Sequence, residues 1–216
     1  MPLFSTDKFQ IEIERNWKNI YNISETVIPP DEREVAAMID QIMEYNKKFV
    51  ENKGYEPYLT SKYPNKKLAV LTCMDTRLTE LLPVALGLKN GDAKIIKNAG
   101  GVITHPYGSV VRSLLVAILE LGVEQVMVIG HTDCGVQGMD GSELLEELVE
   151  RGIDKQHIDI VRHSGIDLEK WLGGFESVEK SVEETVHTLK THPLMPKDIE
   201  IKGFIMDSET GELTEV

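Results

Sequence analysis

Two cysteines and one histidine follow apolar segments in this chain of 216 residues. Cys73 comes directly after the segment 67–72, and His131 and Cys134 come after the segment 125–130. Short apolar runs of this kind are typical of strands that are buried on both faces of a parallel sheet. If the two strands are neighbours, their carboxyl ends bring two thiols and one imidazole together. That set is the ligand count of a catalytic zinc site, whose fourth position is left for water or substrate.

An acid and a base lie beside the first cysteine, at Asp75 and Arg77. Asp75 can bind zinc directly and close the tetrahedron, or it can pair with Arg77 and accept a hydrogen bond from a zinc-bound water or hydroxide. Because a guanidinium can hold both oxygens of a carboxylate, pairing would draw Asp75 off the metal. A plain ion pair at a strand end is a third interpretation. For Asp133, the pattern favours a turn or helix-cap residue.

The chain has no further cysteine. A structural zinc site usually needs a fourth Cys or His, and the other histidines have no ligand-like spacing: His105, His157, His163, His187 and His192. A disulfide between Cys73 and Cys134 is an alternative, because residues that meet at one metal are also close enough to oxidise. In a reducing compartment, thiols or metal ligands are expected instead.

Strands and helices alternate along most of the chain. The predicted elements are a strand at 67–72, a helix at 76–87, a strand at 93–97, helix 109–121, strand 125–130, helices 142–151 and 177–191, a strand at 199–206 and a short final strand. This order predicts an α/β fold with a mainly parallel central sheet of four strands plus a short C-terminal edge strand, and helices on both faces. Cys73, Asn98 and His131 fall at the carboxyl ends of strands, where such sheets bind ligands.

Two segments are expected in the domain organisation. Residues 1–30 are polar without strong periodicity and are interpreted as an N-terminal arm or an extra helix, and residues 31–216 as one α/β domain. A helix that begins after Asp31 repeats apolar residues at helical spacing. Its apolar face could pack within the chain or on a partner subunit.

Charge and hydropathy exclude several partners. The formal charge of -13, from 36 acidic against 23 basic residues, would repel nucleic-acid phosphates. Charged residues interrupt the first thirty positions, so no signal peptide is expected, and no apolar stretch is long enough to span a bilayer. We therefore expect a cytoplasmic protein with no nucleic-acid or membrane partner.

Three motifs occur in a fixed order: Cys73-x-Asp75-x-Arg77, Lys97-Asn98-Ala99-Gly100 and His131-x-x-Cys134-Gly135. Together they resemble the β-class carbonic anhydrases, most closely the short prokaryotic and archaeal branch, over roughly residues 64–213. The resemblance implies a lyase that hydrates carbon dioxide reversibly to bicarbonate with a zinc-bound hydroxide. It implies Zn²⁺ on Cys73, His131 and Cys134, with Asp75 and Arg77 as an orienting dyad. It also implies a homodimer or an assembly of dimers.

The resemblance further implies substrate contacts around Asn98, Gly100 and Gly101. The family turn commonly reads Asn-Ala-Gly-Asn, so Gly101 removes one polar side chain, while Asn98 and the backbone amides remain. The regulatory bicarbonate site of some members uses a tryptophan near the metal. Because Trp17 and Trp171 lie far from the motifs in sequence, that site is not expected here.

Two other functions compete with carbon dioxide hydration. The same hydroxide could attack a carbon dioxide analogue such as carbonyl sulfide or carbon disulfide, and substrate access would distinguish these reactions. Alternatively, the chain could be a non-catalytic zinc-binding or regulatory protein in which Asp75 permanently closes the tetrahedron. Zinc bound one to one without activity at alkaline pH would favour that alternative.

Overall fold

The structure is a computed structural model that describes residues 32–216, with side chains described from residue 37 onward. The expected N-terminal arm, residues 1–30, lies outside the described residues, and its boundary with the following domain stays a prediction. The chain divides into two compact units, one that ends at Pro57 and one from Tyr58 to Val216. The motif residues all belong to the second unit.

The first unit contains helix α1 (Glu32–Glu51). Lys48 pairs with Glu44 one turn earlier at 2.7 Å, a contact that supports the exposed side of the helix. The apolar residues at helical spacing are more than half exposed: Met38, Ile39, Ile42 and Met43. These four residues are the apolar face that the helical spacing predicted.

The second unit is built on one five-stranded sheet. Its strands are β1 (Leu68–Cys73), β2 (Ala93–Asn98), β3 (Gln125–His131), β4 (Glu200–Met206) and β5 (Leu213–Glu215). The spatial order is β2-β1-β3-β4-β5, in which the first four strands are parallel and β5 runs antiparallel to β4. The predicted sheet, with its short C-terminal edge strand, is confirmed.

Helices cover both faces of the sheet, as predicted. The helices of the second unit are α2 (Leu81–Ala85), α3 (Ser109–Leu121), α4 (Gly141–Glu150), α5 (Lys155–His163), α6 (Leu168–Leu172) and α7 (Val178–Thr191). One face packs against α3 and α7, which bury Leu114 and Leu189 completely. The other face packs against Leu78 and against Leu82 of α2. The core therefore lies on both sides of β1 and β3.

The helix predicted at 76–87 is shorter and interrupted. A 3-10 turn spans Thr76–Leu78 and α2 begins only at Leu81. The Asp75 carboxylate accepts the backbone N–H of Arg77, which favours a tight turn at this point. Helices α5 and α6 were not predicted, although Asp154 and Asp167 cap their first turns. Each is too short to be stable without packing against the rest of the chain.

The strand order decides which motif residues meet. Strand β1 lies between β2 and β3, so the chain moves to one side of β1 and then to the other. This reversal is the topological switch point at which α/β sheets bind ligands. Cys73 ends β1 in register with Asn98 of β2, and Thr72 is in register with Ile129 of β3. Among the described residues, no helix has the length and apolarity needed to cross a membrane.

Candidate metal centre

Cys73, His131 and Cys134 converge at the switch point. Their ligand atoms all lie within 4.8 Å of one another, and the two sulfur atoms are 3.9 Å apart. All three side chains are at least nine-tenths buried. Both cysteines are free thiols, so the disulfide alternative is not the state of this structure. The three residues that the sequence singled out thus form one buried donor cluster.

The imidazole of His131 is oriented by its neighbour in the chain. Nδ1 lies 2.8 Å from the carbonyl oxygen of Thr132, and because a carbonyl only accepts, Nδ1 is the donor. That tautomer leaves a lone pair on Nε2. Nε2 is buried and has no hydrogen-bond partner among the described residues. An orphaned buried nitrogen that faces two thiols requires a partner, and a metal ion meets this requirement.

Burial raises the pKa of the Cys134 thiol, and the neighbouring Cys73 raises it further, whereas the backbone N–H groups of Val136 and Gln137 act in the opposite direction. Without a cation, Cys134 therefore favours the protonated thiol. A divalent ion reverses this preference, because it stabilises the thiolates directly. Metal binding at this site should release protons.

The donor set and its spacing fit zinc. In a tetrahedral site with Zn–S bonds of about 2.3 Å, two sulfur ligands lie about 3.8 Å apart. The observed sulfur separation of 3.9 Å agrees with that value. Two thiols and one neutral imidazole nitrogen are also the soft and borderline donors that zinc prefers. The residues present therefore match the ion that the sequence predicts.

Asp75 is held by Arg77 through both carboxylate oxygens. Oδ1 accepts from the backbone N–H at 2.9 Å and from Nε at 3.1 Å, and Oδ2 accepts from Nη2 at 2.9 Å. Asp75 Oδ2 lies 3.9 Å from Nε2 of His131, but Asp75 is not part of the cluster whose ligand atoms all lie within 4.8 Å. Both oxygens of Asp75 are therefore engaged by Arg77, the contact that was expected to draw the carboxylate off a metal; its position relative to a bound ion stays a prediction.

The guanidinium determines the charge state of Asp75. Hydrogen bonds from Arg77 lower the pKa of Asp75 from 3.8 to about 2, although partial burial acts against them. The carboxylates of Asp75 and Asp133 in turn raise the pKa of Arg77. Asp75 is therefore an anion throughout the neutral range and accepts hydrogen bonds without donating one.

Replacing Arg77 with glutamine is expected to raise the pKa of Asp75 from about 2 toward 3.8, because the largest cause of the shift is removed. A lowered carboxyl pKa stabilises the folded state above 3.8, and this contribution is lost as the pH falls toward 2. Carboxyl carbon NMR of the metal-free protein would measure the midpoint. An unchanged midpoint in Arg77→Gln would assign the shift to another group.

Sequence comparison assigns this arrangement to a family. The sequence model of the family described as Carbonic anhydrase matches residues 68–213, and that range contains every motif residue. The chain belongs to the β-carbonic anhydrase family. Family membership confirms the resemblance that the three motifs indicated.

Several known proteins are similar to this chain over most of their length. The Bacillus subtilis protein YvdA is 53% identical over 175 residues, which are 81% of this chain and 89% of that protein, and its name presents carbonic anhydrase activity as unproven. A carbon disulfide hydrolase of Acidithiobacillus thiooxidans is 32% identical over 69% of this chain and 76% of its own length. The crystal structure of β-carbonic anhydrase isoform I from Trichomonas vaginalis is 34% identical, covers 82% of this chain and 96% of its own, and superposes with a TM-score of 0.73.

The Asn98 side chain forms hydrogen bonds within its own turn. Its Nδ2 donates to the carbonyl oxygen of Val102 at 2.6 Å, and its Oδ1 accepts from the Val102 N–H at 3.1 Å. The side chain therefore closes the loop that contains Gly100 and Gly101. A direct role of these three residues in binding substrate stays a prediction, but Asn98 has a structural task that its position in the family motif did not reveal.

Gly101 lies where a side chain has no room. Its φ is +67, and a Cβ would meet the backbone nitrogen of Cys73 and the carbonyl carbon of Thr72, each at 3.0 Å. Gly87 has a similar φ of +62, but nothing lies within 4 Å of its Cβ position. The departure from the common family turn thus coincides with a close approach between the turn and the first ligand strand.

Substitutions at Gly87 and Gly101 distinguish the cost of a left-handed backbone from the cost of steric crowding. We expect Gly87→Ala to lower the free energy of unfolding by about 1 kcal/mol, the cost of a left-handed alanine. Gly101→Ala should lose a further 1 to 3 kcal/mol or so, because Cys73 must move, and should weaken zinc binding as well. Urea unfolding and zinc titration of both variants would test this; equal losses would mean that the turn can shift freely.

Two residues near the cluster were not predicted to matter. Val136 and Phe175 pack against the buried group that contains both cysteines, and a Cβ on Gly100 would meet Phe175 at 2.9 Å. Both residues also line a cavity of about 640 Å³, together with Ala99 and His105. Phe175 lies in a segment without a motif, so the sequence carried no signal for it.

Proposed function

We propose that this chain is a zinc enzyme that hydrates carbon dioxide reversibly to bicarbonate. The observation that carries the proposal is the buried Nε2 of His131, which has no hydrogen-bond partner in the part of the chain that the structure describes. It faces two thiols whose sulfur atoms are 3.9 Å apart, beside an anionic Asp75. Membership in the β-carbonic anhydrase family supports it.

Cys73, His131 and Cys134 would hold the zinc ion, and the hydrogen bond from Nδ1 to Thr132 keeps Nε2 of His131 available for it. Zinc, when bound, supplies a Lewis acid that lowers the pKa of water and so provides a nucleophile near neutral pH. Arg77 keeps Asp75 ionised and turned away from direct coordination. Asp75 would then accept a hydrogen bond from the attacking water and orient it.

Carbon dioxide is a small apolar molecule, and the cluster offers an apolar wall. Val136 and Phe175 pack against the buried cluster that contains both cysteines, and both also line the neighbouring cavity. Such a wall would hold carbon dioxide without competing hydrogen bonds, while Asp75 fixes the direction of attack. Asn98, Gly100 and Gly101 form the adjoining turn and are proposed to contribute backbone contacts to substrate.

Carbon disulfide or carbonyl sulfide hydrolysis is the second candidate. It is favoured by the similarity to carbon disulfide hydrolases, which share 32% identity over 69% of this chain in one case. The 53% identity to YvdA makes carbon dioxide the first choice. The non-catalytic alternative requires Asp75 on the metal, whereas both of its oxygens are engaged by Arg77 in the structure.

The test is a substrate comparison on protein of measured zinc content. Carbon dioxide hydration, followed by stopped flow with a pH indicator, is expected to rise from about pH 7 to about pH 9, because two thiolates reduce the acidity of water below that in an all-imidazole site. Carbon disulfide and carbonyl sulfide, assayed on the same sample, should react more slowly. One zinc per chain with no hydration at any pH would support the non-catalytic alternative.

We also propose a homodimer or an assembly of dimers as the active form. Helix α1 exposes Met38, Ile39, Ile42 and Met43, an apolar face that a second copy could cover. Light scattering after size-exclusion chromatography would measure the mass. A cytoplasmic location is proposed because both cysteines must stay reduced to bind the metal.

A further inference from the structure

Asp133 lies between the ligands His131 and Cys134 and contacts Arg77 twice. Its Oδ2 accepts from Nη1 at 2.9 Å, and its backbone carbonyl oxygen accepts from Nη2 at 2.8 Å. The sequence favoured a turn or helix cap here; the structure places Asp133 in the turn, with no helix following directly. The contact to Arg77 spans 56 positions and could not be inferred locally.

The backbone of Asp133 suits this double contact. Its φ is +53, a left-handed conformation shared among the described non-glycine residues only with Lys53 and Lys67. Asp and Asn tolerate that conformation better than most residues with a side chain. A glycine would fit the backbone equally well but would have no carboxylate. The residue type therefore satisfies the turn and the guanidinium at the same time.

The donors of Arg77 show what Asp133 adds. A guanidinium has five N–H groups. Nε and one N–H of Nη2 donate to the Asp75 carboxylate. The other N–H of Nη2 donates to the Asp133 carbonyl oxygen, and Nη1 donates to the Asp133 carboxylate. Asp75 thus holds one edge of the group and Asp133 the other. Without the Asp133 carboxylate, Nη1 would have no partner among the described residues.

We propose that Asp133 is a positioning residue that fixes the plane of the Arg77 guanidinium and, through it, the direction in which Asp75 presents Oδ2 to the metal position. The Asp133 side chain is 86% exposed and that of Arg77 is 40% exposed, so this ion pair contributes little to stability. Its effect is orientation. Displacement of a reacting group by about 1 Å can cost about a hundredfold in rate.

Two variants distinguish the role of the Asp133 carboxylate from that of its backbone conformation. Asp133→Gly keeps the left-handed backbone and its carbonyl but removes the carboxylate. Asp133→Asn keeps an oxygen that can accept from Nη1 and removes the charge. Asp198→Asn, at an exposed aspartate, is the matched control for loss of one surface charge.

The first readout needs neither zinc nor substrate. In NMR spectra of the metal-free protein, rotation about the Cζ–Nη bonds of Arg77 should be slow enough to give separate Nη hydrogen signals, which an Arg77→Lys variant assigns. In Asp133→Gly these signals should average, while Asp133→Asn should retain part of the separation. Asp198→Asn should leave them unchanged. Averaged signals in the parent protein, or separate signals in Asp133→Gly, would overturn the proposal.

The second readout rests on the proposed function. In zinc-loaded protein, kcat/KM for carbon dioxide should fall about tenfold in Asp133→Gly, the lower end of the effect of removing a residue that orients a group beside a metal. Asp133→Asn should restore part of this loss, and all variants should bind one zinc per chain. Averaged Arg77 signals with unchanged kcat/KM would overturn the positioning role. If the parent protein hydrates no carbon dioxide, the proposed function fails, whereas the NMR comparison still decides whether Asp133 fixes Arg77.

Discussion

Replacing Cys134 with serine is expected to abolish stoichiometric zinc binding and carbon dioxide hydration together. Cys134 is 6% exposed, and its sulfur is one of the three donors that the cluster has among the described residues. A serine hydroxyl is a harder donor that is not ionised at neutral pH, so two remaining ligands cannot hold the ion tightly. We expect the zinc content after dialysis against a chelator to fall from one per chain to nearly none, and the rate to fall to that of the buffer.

A neighbouring buried hydroxyl provides the control for this variant. Thr72 is completely buried beside Cys73, and its Oγ1 donates to the carbonyl oxygen of Ile129 at 2.9 Å. Thr72→Val removes a polar atom of similar burial without removing a ligand, and should cost about 1 kcal/mol of stability while zinc content stays at one per chain. If Cys134→Ser retained zinc and full activity, the ligand assignment would be wrong.

Asp75→Ala is expected to retain zinc and to lower kcat/KM by about 10- to 100-fold, the usual effect of removing a residue that hydrogen-bonds to a metal ligand without binding the metal. The three donors of the cluster do not include Asp75, so the ion should stay. The rate should fall because the anionic oxygen near His131 Nε2 no longer orients the attacking water. Metal analysis and stopped-flow hydration on the same sample would measure both quantities.

The conservative variant Asp75→Asn distinguishes orientation from charge. Its amide keeps one oxygen acceptor but introduces an N–H₂ group that cannot accept from Arg77. We expect its activity to lie near that of Asp75→Ala, because the bidentate contact with the guanidinium is lost. Wild-type turnover in either variant would mean that Asp75 and Arg77 form only a structural ion pair, the third interpretation of the sequence.

The sheet and the order of its elements along the chain could be predicted because β1 and β3 are short apolar runs with clear ends. Helix α3 was predicted with its observed bounds, since its apolar residues repeat at helical spacing before Gly122. The segment around α2 was harder, because the contact between Asp75 and the Arg77 N–H favours a 3-10 turn over a continuous helix. Helices α5 and α6 are too short for periodicity to indicate them, and they are stabilised by a small core of Leu145, Ile158 and Leu168.

The sequence by itself determined the donors of the candidate site. Cys73, His131 and Cys134 follow apolar runs, and a chain without other cysteines offers no second set of soft ligands. The alternation of strands and helices also determined the fold class, because buried strands and amphipathic helices have different periods.

Only the tertiary structure decided how these residues act on one another. The order β2-β1-β3 places the two ligand strands side by side, and it arises from packing across the whole sheet. The left-handed turn at Asp133 brings a second acidic residue to Arg77, and the Asn98 side chain closes its own loop. Such contacts join residues that are remote in the chain or depend on backbone angles that residue type alone does not specify, so the pose of Asp75 became visible only in the folded protein.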